Sequence, residues 1–201
     1  MSLTFEQLRK RFPNRILVKT KWHQHVNGGG WVENTAIISD NAIISDNAWV
    51  YGNAWVYGNA SVSGNARISG NASVSGNASV SGNARIYGNA RIFGNARIYG
   101  DVWSFTPLQI QGTKHFITTC SHTHVQIGCE KHSIVEWHMI FKTIGKNHNY
   151  TDNEIAEYKA ILNFCSEWLL LKFPPKAKKI NKTIKKPKEP QRDALGRFTK
   201  R

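Results

Sequence analysis

Apolar residues recur at every sixth position over a long central stretch: Val32, Ile38, Ile44, Val50, Val56, Val62, Ile68, Val74, Val80, Ile86, Ile92 and Ile98. Two residues before nearly every one stands Ala, and from Gly52 onward a Gly-Asn pair separates the units, giving phrases such as NARISG, NASVSG and NARIYG. A fixed short period means that each unit can bury its apolar face only by stacking on its neighbours, so the pattern predicts a β-solenoid. The flanks follow other rhythms. Leu3, Phe5, Leu8 and Phe12 have the spacing of a short helix ending at Pro13, and Gly28-Gly29-Gly30 marks a sharp turn into the first coil. Beyond Asp101 the hexad decays; Val102 and Leu108 keep the small-residue register, but Ser104 and Pro107 break it. HFITTC and HVQIGC then read as two strands. Ser133-x-x-Glu136 and Thr151-x-x-Glu154 read as capping boxes. The first opens a short helix stopped by Gly145; the second opens a longer one with an apolar stripe of Ile155, Tyr158, Leu162, Cys165 and Leu169, stopped before Pro174-Pro175. That stripe needs a partner, either the coil or copies of itself about a threefold axis.

The spaced aliphatics with their alanines resemble the hexapeptide-repeat superfamily, which folds as a left-handed parallel β-helix with three hexads per triangular turn. The resemblance implies that residues eighteen apart stack. Twelve hexads then make about four turns, roughly 19 Å of prism at a ~4.8 Å strand spacing. Each inward aliphatic contributes on the order of 1.5–3 kcal/mol on burial. Gly suits the bends through its access to positive φ, and Asn can ladder with the Asn one turn away. Asp replaces Gly at Asp40 and Asp46, which points to an irregular first turn.

Stacking by eighteen sorts the outward positions into faces. One carries Trp49, Arg67, Arg85 and Trp103, with Tyr51, Ser69, Tyr87 and Phe105 beside them; a second is small and polar, with Ser61, Ser79 and Arg97; a third mixes Ile37, Trp55, Ser73 and Arg91 with Tyr57 and Phe93. Exposed Trp, Tyr and Arg are the residues enriched at binding hot spots. Trp49, Tyr51, Arg67, Arg85, Tyr87, Trp103 and Phe105 are therefore the candidate binding face, the alternative being that the protein's own helices or a neighbouring subunit cover it.

Charge changes the picture at one end only. The net charge is +14, yet residues 31–103 carry four acids and four arginines and are neutral, whereas Lys172–Arg201 holds twelve Lys/Arg against Glu189 and Asp193. This lysine-, proline-rich tail has too little apolar surface to offset ordering entropy and reads as disordered when alone. Lys176, Lys178, Lys179, Lys182, Lys185, Lys186, Lys188, Arg192 and Arg197 are candidates for salt-sensitive, sequence-independent nucleic-acid contact; a solubilising tail, or one that docks on an acidic protein, is the plainer reading. The opening MSLTFEQLRKRF has no apolar signal region and no stretch approaches the ~20 apolar residues of a membrane span. With three cysteines, an odd number, the expectation is a reduced, cytoplasmic protein.

Chemistry is sparse. Hexapeptide-repeat acyltransferases carry a catalytic His on a coil, beside an extended loop, at a cleft between trimer subunits. Here no His occurs from Val26 through Lys114 and no loop interrupts the hexads. The same absence removes the ligands of a carbonic-anhydrase-like metal site. Cys120, His122, His124, Cys129 and His132 are dense enough to suggest tetrahedral zinc, but their spacing fits no standard module, so no cofactor is expected.

WSFTPLQIQGTKHFIT, VQIGCEKHSIVEW and IGKNHNYTDNEIAEY resemble the C-terminal portion of hexapeptide-repeat proteins of bacteriophages and prophages, most without assigned activity, and RDALGRFTK is similar to tails on phage proteins. The resemblance implies a phage accessory role, host interaction or counter-defence. His115, Cys129, His132 and Trp137 are the ligand- or partner-contacting candidates of this region. The expected organisation is a cap over 1–30, a mainly β solenoid over 31–103, a strand/helix domain over 104–172 and a basic tail over 173–201. The expected function is non-enzymatic: an oligomer, trimeric by superfamily analogy, that binds a host protein or nucleic acid. A small-molecule or nucleotide-sequestering pocket between subunits, or an acyltransferase, are the alternatives.

Overall fold

In the computed structural model, which describes residues 4–10, 17–39 and 41–174, the hexads form four coils of a parallel β-solenoid. Each coil contributes one two- or three-residue strand to each of three sheets. The register is eighteen residues: Trp49 lies against Arg67 and Arg67 against Arg85 on one side, Trp55 against Ser73 and Ser73 against Arg91 on the next, and Ser61 against Ser79 and Ser79 against Arg97 on the third. The aliphatics and alanines point inward and are buried almost throughout.

The corners explain the Gly-Asn spelling. Gly64 sits at φ 65, and a Cβ there would stand 3.0 Å from the backbone nitrogen of Gly82 one coil on, so both backbone angle and stacking distance demand glycine. Asn side chains ladder along the corners, as in Asn47 to Asn65 at 3.3 Å, Asn65 to Asn83 at 3.1 Å and Asn59 to Asn77 at 3.3 Å. Asp46 takes the glycine angle at φ 56, and its carboxylate accepts the Gly64 N–H at 3.0 Å. Asp40 lies outside the described residues.

Both ends of the stack are closed largely by the chain itself. At the start, strand Trp22–Gln24 runs antiparallel to Trp31–Glu33, and the Gly-rich turn bonds to the first coil, Gly30 N–H donating to Ile44 O at 2.7 Å and Ile44 N–H to Asn27 O at 3.0 Å. Helix α1 (Phe5–Lys10) is opened by a Thr4–Gln7 capping box. Its Phe5 and Leu8 bury with Leu17, Trp22, Trp31 and Trp49. Leu3, Phe12 and Pro13, read as part of this helix, lie outside the described residues.

At the other end the last coil is one residue short. Arg85 pairs with Val102 and Ile86 with Trp103, and Arg85 N–H donates to Asp101 O. Asp101 adopts φ 64 at this irregular corner. Trp103 therefore turns inward and plugs the core, fully buried, with its indole N–H on Gly100 O at 3.0 Å. The sequence reading, which carried the eighteen-residue register through, placed Trp103 outward and Val102 inward; the deletion reverses both. On the third side a side chain replaces the missing coil. Gln109 accepts the Phe93 N–H through Oε1 at 2.8 Å and donates Nε2–H to Arg91 O at 2.9 Å, while Thr106 Oγ1 accepts the Arg91 N–H at 3.1 Å.

The C-terminal region is a four-stranded antiparallel sheet of Gln109–Gln111, Phe116–Thr119, His124–Ile127 and Glu130–Ser133, in that order. An antiparallel hairpin of α2 (Ile134–Asn147) and α3 (Asp152–Lys172) covers it. Two of these strands match the sequence reading and the outer two are additions. Both capping boxes form, Ser133 with Glu136 and Thr151 with Glu154. Helix α2 does not stop at Gly145: it runs through to Asn147, and Gly145 serves close packing instead, since a Cβ there would meet Ile155 Cγ1 at 2.9 Å. The α3 stripe is buried as spaced, against α2 and the sheet.

Candidate functional site

The solenoid face rich in aromatics and arginine is not one open surface. Trp49 is buried beneath the N-terminal segment, edge-on to Trp22 at 6.1 Å and overlaid by the Arg67 guanidinium at 5.5 Å. Tyr51 packs at the rim of the same cluster. Trp103 is core, and Phe105 is half-buried among Trp103, Trp168 and Phe173 at 5.6–5.8 Å, with Lys172 above its ring at 5.3 Å. Of the seven residues proposed for this face, Arg85 and Tyr87 alone are exposed. The protein's own ends cover Trp49, Tyr51, Trp103 and Phe105, and Arg67 lies over Trp49. Exposed solenoid aromatics lie on the third face instead, where Trp55, Tyr57 and Phe93 join Ile37. The eighteen-residue sorting had these columns in view; what it lacked was which face the ends fold back over.

The C-terminal candidates separate into two groups. His115, Cys129 and Trp137 meet in an apolar pocket of about 40 Å³ between sheet and hairpin, with Ile127, Phe141 and Ile144 among its walls. His115 is held on all sides: its Nδ1 is hydrogen-bonded to the Tyr150 hydroxyl, the two rings lie parallel, and its backbone N–H donates to Tyr158 Oη at 2.6 Å. Tyr158 returns a bond to His115 O at 3.1 Å. Burial, and then the neighbouring Tyr158, hold the Tyr150 phenol well above its ordinary pKa, so it stays protonated and serves as a donor rather than a base. Lys114 lies over the Tyr150 ring at 4.8 Å and bridges to Glu154 at 3.2 Å. Gly128 is dictated by this histidine: at φ 56 a Cβ would fall 2.6 Å from His115 Cδ2. Tyr150 and Tyr158 were not singled out from the sequence, because only the fold brings α3 onto the His115 loop.

His132 stands outside the pocket, edge-on to Trp137 at 4.9 Å and bonded to Glu130 at 3.2 Å. Trp137 is buried, its indole N–H on Val125 O at 2.7 Å. The residues weighed for zinc are dispersed. Cys120 is buried and its thiol donates to His124 O at 3.4 Å; burial pushes its pKa to about 11. His122 stacks on Phe173 at 3.7 Å, close to Asp101, and His124 bonds Ser121 and Thr123. Among the described residues no three His, Cys, Asp or Glu converge as a metal site would require.

The α2–α3 hairpin leaves several large apolar side chains open. Val135 and Met139 on α2 are 66% and 70% exposed, and Phe164, Leu170 and Leu171 on α3 are 51%, 62% and 75% exposed. Phe164 and Leu171 stand seven residues apart on one face of α3, flanked by Ile161 and Trp168, which pack partly into the core. The two helices are joined by a hydrogen bond between His138 Nε2 and Ser166 Oγ at 2.7 Å. The basic tail candidates from Lys176 to Arg197 lie outside the described residues.

Among the described residues no helix is long and apolar enough to cross a membrane. The YdcK Beta solenoid repeat family model matches residues 36–52, 60–76, 66–82, 84–100 and 90–104, all within the coils and their last corner. No curated protein and no solved structure matches the chain. Hexads and coils agree: this is a repeat β-solenoid protein, its repeats similar to the YdcK Beta solenoid repeat.

Proposed function

We propose that the chain is a non-enzymatic, oligomeric binding scaffold in which the solenoid is a rigid spacer and the α2–α3 hairpin is the contact surface. The observation that carries this reading is the apolar surface of Val135, Met139, Phe164, Leu170 and Leu171, left open on a hairpin whose opposite side is fully packed. Large apolar side chains left open together on one supersecondary unit are the kind of surface that marks an interaction site. Trimeric assembly, by analogy with the hexapeptide-repeat superfamily, would bring copies of the hairpin together; the coils' lack of histidine from Val26 through Lys114 weighs against the acyltransferase use of such an assembly. The likeness of the C-terminal region to phage and prophage hexapeptide-repeat proteins supports an accessory role directed at a host macromolecule. Sedimentation velocity of wild type and of Phe164→Glu/Leu171→Glu tests the reading: an oligomer that the double variant dissociates, with circular dichroism unchanged, is expected. A wild type that stays monomeric and captures no partner through this face would refute it.

The charge distribution favours a second contact, between the tail and nucleic acid. Deleting residues 176–201 should weaken binding to a mixed-sequence duplex and flatten its dependence on salt, since released counterions scale with phosphates neutralised. Unchanged binding would remove the tail from the function.

A further inference from the structure

Where the solenoid side that ends in Arg97–Ile98 meets the C-terminal sheet, the two enclose a polar cleft of about 360 Å³. Asn77, Asn95 and Arg97 line it from the coils, Thr118 and Gln126 from the sheet, and Lys114 from the turn between the sheet's first two strands. No acidic side chain lines it. The Arg97 guanidinium is exposed and has no hydrogen-bond or ion-pair partner among the described residues. Lys114, by contrast, is engaged, with Asn149 O at 2.8 Å and Glu154 at 3.2 Å.

Gln126 is the unusual member. It is 3% exposed and sits directly across from Thr118 in the sheet. Its Nε2 donates to Gly128 O at 2.8 Å, while its Oε1 is buried without a hydrogen-bond partner. A buried amide oxygen left unpaired is costly, and a sheet residue facing a solenoid could as well have been Leu. Gln126 lines the cleft, so a donor arriving there meets the unpaired acceptor once the amide turns toward it, and the unpaired guanidinium on the opposite wall calls for an anion, which it can hold through two parallel N–H bonds.

We propose that this cleft binds a small polyol anion, a phosphate ester or a hydroxy acid, with its charged group on Arg97 and a hydroxyl donating to Gln126 Oε1. Both acid types share the chemistry of charge plus hydroxyl. A neutral polyol leaves Arg97 unanswered, and a bare anion leaves Gln126 unanswered. The site lies within one chain and does not depend on the hairpin surface or on assembly, so it stands or falls apart from the scaffold reading.

The test is titration calorimetry of the full chain with ribose 5-phosphate, tartrate, ribose and sulfate in parallel, sulfate being an anion without a hydroxyl donor. Binding of ribose 5-phosphate or tartrate, and not of ribose, is expected; which of the two binds separates ester from hydroxy acid. Arg97→Ala, at an exposed position, should weaken that binding about tenfold or more. Gln126→Leu should erase the preference for the polyol anion over sulfate. If Gln126→Leu fails to fold, Arg97→Ala alone decides. No binding by either polyol anion, equal binding of sulfate by wild type, or an Arg97→Ala protein that binds as wild type does would each overturn the proposal.

Discussion

Replacing Gln109 probes how the solenoid is terminated. Its side-chain amide stands where the next coil's peptide would be, accepting from Phe93 N–H at 2.8 Å and donating to Arg91 O at 2.9 Å. A net intramolecular hydrogen bond is worth about 0.5–1.5 kcal/mol, and both bonds lie in an exposed setting where water can take over part of the loss. Gln109→Ala should therefore cost about 1–3 kcal/mol in urea unfolding. Amide exchange at Phe93 should rise, because its partner is gone. Gln109→Glu separates the two halves of the amide: it retains the acceptor and loses the donor, facing a carboxylate to the Arg91 carbonyl. Near pH 7 it should be at least as destabilised as Gln109→Ala, and its deficit relative to wild type should shrink as pH falls through the carboxyl range near ~4.3, where the acid regains an O–H. A Gln109→Ala protein within about 0.5 kcal/mol of wild type, the range of an inconsequential surface change, with Phe93 exchange unaltered, would refute the account.

Other outcomes follow from packing and titration. Trp103→Ala opens a cavity at the buried end of the core and should cost about 3–5 kcal/mol, read by thermal or denaturant unfolding; a loss typical of surface sites would mean the plug is not sealed. Of the three cysteines, Cys129 is exposed while Cys120 and Cys165 are buried, with burial raising their thiols to about 11 and about 12. Native protein at pH 8 should accordingly take up one equivalent of a thiol reagent quickly, and all three after denaturation; rapid uptake of two or more would contradict the burial of Cys120 or Cys165. Bonds from the Ser133 and Thr151 backbone N–H groups hold the Glu136 and Glu154 carboxyls below the usual carboxylate range. A carboxyl depressed on folding stabilises above its unfolded pKa and loses that contribution as pH falls through the folded one. Acid titration of helical signal should therefore show less loss below about pH 4.5 for Glu136→Gln/Glu154→Gln than for wild type; identical acid curves would argue against capping by charge.

Much of the fold could be read from the chain because a solenoid repeats its instructions. Val32 to Ile98 fix which residues point in, Gly-Asn fixes the corners, and Ser133 and Thr151 announce their helices. The lapses cluster where a single residue or a distant segment decides. One residue missing from the last coil turns Trp103 from an outward rung into a plug, and periodicity carries no mark of a shortened step once Ser104 and Pro107 have blurred the repeat. Trp49 matched its column and was nonetheless covered, because α1 and Trp22 fold back on it through contacts that no local pattern encodes. The candidate site was partly legible: His115, Cys129 and Trp137 converge as a group, while His132 stands aside on Glu130. Tyr150, Tyr158 and Gln126 were silent because their roles depend on how the sheet sits against coil and hairpin.

The eighteen-residue register gives the molecule a property of a ruled instrument. Duplicating eighteen residues inside the coils would add one strand spacing, about 4.8 Å, between the N-terminal cap and the C-terminal sheet while preserving their relative bearing. Duplicating six would swing one end by a third of a turn against the other. Lengthening and rotation are thus separable by the size of the insertion, and nearly interchangeable hexads from Asn65 to Gly82 offer junctions at which either could occur without disturbing a single corner glycine.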